Sequence, residues 1–121
     1  MKKRSWGDVF RNAMEGLIEG FHTQRNLRVH TVCAAIAVAA GLFFHISRTD
    51  WMFICLAIAC VIITELLNTA IEFVVDLASP EFHSLAKSAK DTAAGAVLLA
   101  AVFAVIIAIF VFWEPMISWA F

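Results

Sequence analysis

The chain has 121 residues, enough for one domain, and 62% of them are hydrophobic against 16% charged. Its mean hydropathy is +0.85, whereas a soluble domain averages about 45–50% apolar and about 25% charged residues. That balance excludes an ordinary soluble fold and points to the membrane class, and a net charge of −1 offers nothing to a nucleic acid.

The basic residues are unevenly spread, with six of the nine in the first 28 positions. Lys2-Lys3-Arg4 leads into an amphipathic stretch and not into a short apolar core with a cleavage site, so no secretory signal is expected. From Trp6 to about Phe21, Trp6, Val9, Phe10, Ala13, Met14, Leu17, Ile18 and Phe21 share one side of a helix. Asp8, Arg11, Asn12, Glu15 and Glu19 share the other, which predicts a helix lying in the membrane interface.

Three apolar runs follow. The first, about 29–46, is short, with Arg28, Val29 and His30 extending it by snorkelling. Ser47-Arg48-Thr49-Asp50 predicts a tight connection, and the second run goes from Trp51 to about Leu77. Ser79-Pro80-Glu81 breaks it, with Ser79 expected as an N-cap and Pro80 as a first helical residue. A polar cytoplasmic loop over 79–91 leads to the third run, about 92–113, which Glu114-Pro115 is expected to end. Cys33, Cys55 and Cys60 lie in the runs and are expected as small buried hydrophobes, since no Cys-x-x-Cys suggests zinc or a disulfide frame.

The expected fold is an all-α integral membrane protein, a single domain over 1–121 with an interfacial helix and three transmembrane helices. The N-terminal segment carries six basic residues and the second connection Lys87 and Lys90, against Arg48 alone in the first turn, so the N-terminus and the second connection are expected in the cytoplasm. Trp51, Trp113 and Trp119 fall near the outer boundary and Trp6 near the inner one. Ala37 with Gly41, Ala89 with Ala93 and Ala96 with Ala100 are small residues four apart, which lets helices approach closely. Three spans make a thin scaffold for a polar site, so a homo-oligomer is expected, burying polar faces against its neighbours.

The chemistry resides in Glu65, Asn68, Glu72 and Asp76. On a helix they share one face, within an arc of about 80°. A carboxylate deep in a membrane helix costs about 2.5–3.5 kcal/mol by insertion scales, so packing is a poor explanation for it. Counting about 1.5 Å per residue inward from Trp51 puts Glu65 about 21 Å along the span and Glu72 about 31 Å. The stripe therefore descends from apolar surroundings to water. Its deep carboxylate suits a general base and its shallow ones a hard cation entering from the cytosol. His83, Lys87 and Lys90 share a face beside Asp91, and Lys90 suits a phosphate. A base, a cation site and a lysine at one boundary fit phosphoryl transfer from a soluble donor to a lipid hydroxyl. A Gly-x-x-x-x-Gly-Lys-Ser/Thr loop is absent, which excludes a P-loop enzyme.

The run Glu65-Leu-Leu-Asn68-Thr-Ala-Ile-Glu72-Phe-Val-Val-Asp76, followed by His83 and Ala89-Lys90-Asp91, resembles the prokaryotic diacylglycerol kinase family. The likeness covers nearly the whole chain, and the stretches Gln24 to His30 and Ala89 to Leu98 look more like its undecaprenol kinase branch. The resemblance implies a homotrimer in the cell (inner or plasma) membrane with active sites shared between subunits. It implies ATP as cosubstrate, Mg²⁺ as cofactor and a membrane lipid alcohol, undecaprenol or diacylglycerol, as acceptor. By the same resemblance Glu65 is the catalytic base and Glu72 a metal ligand. Asn68, Asp76, Glu81, His83, Lys90 and Asp91 are nucleotide-site residues. The family's second metal-binding glutamate falls at Gln24, whose amide offers one oxygen without the charge and so implies weaker Mg²⁺ binding or low activity. Asn12 stands where an aromatic is common near the nucleotide. Two other readings stay open, a weak or silent family member and a small cation or proton pathway lined by Glu65 and Glu72. His22, His30 and His45 form no ligand cluster and carry no assigned role.

Overall fold

A computed structural model describes residues 2–121. The described chain is all helical: α1 Trp6–Thr23, α2 Arg25–Phe44, α3 Arg48–Ala78 and α4 Ser84–Ala120. The last three are each long and apolar enough to cross a membrane, so this is a multi-pass membrane protein preceded by an amphipathic helix.

Ser5 starts α1 with a capping box. Its hydroxyl accepts from Asp8 N–H at 3.1 Å, and Asp8 accepts from Ser5 N–H at 3.3 Å. The apolar side of α1, with Trp6, Phe10, Met14 and Ile18, stays exposed on the chain, as an interfacial helix requires. Gln24 is the whole corner between α1 and α2, ending one helix and starting the next in an extended conformation. The Arg28 guanidinium locks that corner by donating to the Phe21 and His22 carbonyls at 3.0 Å each. Gly20 is buried there, and a Cβ on it would stand 3.1 Å from Leu66 and 3.2 Å from Leu27. This close approach holds the corner against α3, one residue from Glu65.

The α2–α3 turn is shorter than the sequence suggests, because α3 already begins at Arg48. His45 takes the left-handed conformation (φ 51°) that ends α2. The His45 and Ile46 N–H groups both donate to the Gly41 carbonyl, and Ile46 is buried. Ser47 caps α3, its hydroxyl accepting from Asp50 N–H at 3.1 Å. Ile46, Ile54, Val111 and Phe112 form the buried cluster at this end, with Phe44 and Trp51 packed on it.

At the other end two expectations fail. Ser79 closes α3 instead of opening the next helix, because the residue before a proline is pushed out of the helical region. His83 is the true N-cap, its ring Nδ1 accepting from Leu85 N–H at 3.0 Å. The connection is therefore five residues, 79–83, and 84–91 is the polar start of α4, not a loop. Pro115 does not end α4 either, which continues to Ala120. Proline removes one N–H donor, but the apolar Met116, Ile117 and Trp119 continue the helix, and Trp119 meets the Phe43 ring at 6.0 Å. Intramembrane helices tolerate such a proline where neighbours support the freed backbone. The cysteines also differ from expectation, all three being exposed.

Candidate active site

The α3 stripe is sorted by depth in burial as well as in sequence. Glu65 is 1% exposed and Asn68 6%, while Glu72 is half-buried and Asp76 open. One chain thus buries the deep half of the stripe by itself, without the neighbouring subunits that a three-span scaffold was expected to need. Thr69, also buried, donates its hydroxyl to the Glu65 carbonyl at 3.0 Å and steadies the turn that bears the carboxylate.

Neither Glu65 carboxylate oxygen has a hydrogen-bond partner among the described residues, nor does Asn68 Oδ1. A buried polar atom left unpaired costs about 1–3 kcal/mol, so three in one place mark a candidate site. The Asn68 amide does reach the next turn, donating to Glu72 Oε1 at 3.5 Å. Asn68 therefore binds the shallow acid and leaves the deep one unpaired.

A second charged group closes the exposed end of the stripe. Lys90 Nζ donates to Asp76 Oδ1 at 2.5 Å, joining the end of α3 to the start of α4. One turn away Lys87 pairs with Asp91, also at 2.5 Å. Lys90 lies in the polar turns ahead of the apolar run, where its hydrogen bond to Asp76 raises its pKa above the usual lysine value. The Lys90–Asp76 pair is well exposed, at 41% and 64%. Such pairs contribute little to stability, so an incoming phosphate can take the ammonium at small cost.

The structure brings Glu65, Asn68 and Glu72 into one line and Asp76 with Lys90 into a second. His83 is turned to capping, with only its other ring nitrogen free for a ligand. Glu81 and Asn12 are exposed and make no side-chain hydrogen bond to the stripe among the described residues. Gln24, at the corner, is half-buried and makes no capping hydrogen bond through its side chain. No three His, Cys, Asp or Glu side chains converge as a metal cage among the described residues. A magnesium ion does not need one, since it commonly uses one or two carboxylates with substrate phosphates and waters.

One residue escaped the sequence reading. His30, on α2, has Nε2 3.8 Å from Glu65 Oε2 and is 23% exposed. The only signal was a titratable group near the start of an apolar run, and its facing partner depends on helix register. Beside it an apolar cleft of about 310 Å³ runs between α2, α3 and α4. His30 and Cys33 stand at its edge, and Ala34, Ile54, Val61 and Ala104 are among its walls.

Comparison with known proteins agrees with this arrangement. The family model described as prokaryotic diacylglycerol kinase matches residues 11–112. A diacylglycerol kinase of Synechocystis sp. is 44% identical over 90% of this chain and 63% of its own length. An undecaprenol kinase of Bacillus subtilis is 43% identical over 85% of this chain and 84% of its own. A diacylglycerol kinase of Escherichia coli is 31% identical over 83% and 82%. With a family match over residues 11–112 and a relative 43% identical over 85% of its length, the chain belongs to the prokaryotic diacylglycerol kinase family, a family of lipid kinases.

Proposed function

We propose that this chain, as a single domain over 1–121, transfers the γ-phosphate of ATP to the hydroxyl of a membrane lipid alcohol. The observation that carries the reading is Glu65, buried without a partner beside an apolar cleft, at the deep end of a stripe that runs out to Lys90. The cleft suits the acceptor's hydrocarbon chain, leaving its hydroxyl at the Glu65 carboxylate. Glu65 takes the hydroxyl proton as oxygen attacks phosphorus. Asn68 keeps Glu72 in line beneath it. Lys90 exchanges Asp76 for a phosphate oxygen of the nucleotide, and Asp76, Glu81, His83, Asp91 and Asn12 border the nucleotide on the water side. Glu72 and Gln24 supply two hard oxygen donors that would hold Mg²⁺ in company with the phosphates. The ion, when bound, neutralises charge on the transferring group. The N-terminus and the 79–83 connection lie in the cytoplasm, where ATP is, in the cell (inner or plasma) membrane. The assembly is a homotrimer with sites shared between subunits.

Purified protein given ATP, Mg²⁺ and a lipid alcohol is expected to yield the lipid phosphate. Glu65→Gln keeps the shape and removes the base, and turnover should fall by about 10²–10⁴-fold while the oligomer stays folded. Parental turnover in that variant removes Glu65 from the mechanism. Assays of undecaprenol and diacylglycerol side by side decide the acceptor, because apolar walls discriminate by only about 1–3 kcal/mol per methylene. Gln24 favours one second reading, a family member of weak or no activity, for which ATP binding without turnover is the signature. A conducting pathway is disfavoured, since Trp51 to Ile63 continues the stripe with no polar partner toward the outer face.

A further inference from the structure

A base buried to 1% exposure must lose its proton before the next turnover, and the bulk solvent does not reach it. The titratable groups around Glu65 are few. Glu72 lies two turns along α3, reached through Asn68, and already binds the Asn68 amide. The α4 wall of the cleft, Ala101, Ala104, Val105 and Ala108, has no titratable group. From α2 the cleft receives Cys33 and His30, and His30 alone is in ion-pair range of the carboxylate, with Nε2 3.8 Å from Oε2. His30 is also 23% exposed and lies in the second turn of α2, near the Gln24 corner and the end of the span.

We propose that His30 is the proton exit for Glu65, an inference that rests on Glu65 being the base. In its Nδ1–H tautomer the ring offers an Nε2 lone pair to the protonated carboxyl. A small ring rotation or one bridging water closes the gap to transfer distance. The balance is simple. Glu65 carboxylate takes the proton of the lipid hydroxyl as the new O–P bond forms and the bond to the leaving diphosphate breaks. The carboxyl then passes that proton to His30, giving carboxylate and imidazolium, and the imidazolium releases it to water or to the leaving nucleotide. His30 touches no reacting atom and acts only through Glu65. Imidazole suits the task because one ring nitrogen can accept a proton while the other gives one up.

The test uses the full-length protein in mild detergent with ATP, Mg²⁺ and the lipid alcohol that supports turnover. His30→Ala and the size-conserving His30→Gln are both expected to lower kcat at least tenfold, with the KM for ATP and the oligomer unchanged. Free imidazole added to His30→Ala should restore a substantial part of the lost kcat, which a structural role would not allow. Parental kcat in His30→Gln overturns the proposal, because a hydrogen-bond donor that cannot carry a proton would then suffice. A loss in His30→Ala that imidazole leaves untouched overturns it as well. Glu65→Gln separates the two levels: if that variant is dead and the His30 variants are fully active, the exit fails while the base stands. If Glu65→Gln is active, the kinase reading of Glu65 fails first.

Discussion

The proposed function rests on single side chains, and these were unequally legible. The register of Glu65, Asn68, Glu72 and Asp76 follows from helical spacing alone, and the structure arrays them as that spacing requires. His30 could not be found that way, because what matters is the residue it faces on another helix. Gln24 is the residue most open to a direct test. Replacing its amide by a carboxylate adds a charge beside the proposed magnesium position, so Gln24→Glu should lower the Mg²⁺ concentration needed for half-maximal turnover. A titration of activity against Mg²⁺ measures this, and an unchanged curve separates Gln24 from the metal.

The helices themselves were readable from hydropathy, and their ends only in part: α1 starts at Trp6 as expected, while the ends of α4 are missed. Spans persist over many residues and average out local exceptions, whereas a terminus is decided by one cap or one proline. Pro80 acted through the residue before it, so Ser79 stops α3 and the histidine at 83 takes over the capping. The pairing of α2 with α3 shows what a small residue does at close range. Gly41 lies under the Trp51 ring, and a Cβ there would come within 2.6 Å and 2.9 Å of two ring carbons. An indole fixed in a packed cluster cannot yield as a leucine tip can. Gly41→Ala should therefore destabilise the protein by about 1–3 kcal/mol, read as a lower thermal unfolding midpoint in detergent. Gly20→Ala meets only the flexible ends of Leu27 and Leu66 and should be milder.

For the whole molecule, the chain is apolar outside as well as inside. Leu42, Leu56, Val74, Leu98 and Phe110 are among the large side chains left open on it, which suits lipid tails or sister subunits. The polar site does not depend on association for its burial, since Glu65 is enclosed by one chain. The trimer proposed above would instead complete the open nucleotide side, where Asp76, Glu81 and Asn12 are exposed. Native mass measurement in mild detergent should show three chains per particle, and a population of monomers alone that retains turnover removes the shared site.

The length of α4 has a mechanical meaning. Its 37 residues make a rod of about 55 Å at 1.5 Å per residue, longer than a bilayer of about 40–45 Å with its headgroups. Lys90 therefore rides on a stiff mast rooted in the membrane and not on a slack tether. When the bilayer thickens or thins, the mast leans. Because α3 packs against α4, the two lean together, which would keep the spacing between the proposed proton acceptor and the proposed phosphate anchor insulated from the state of the surrounding lipid.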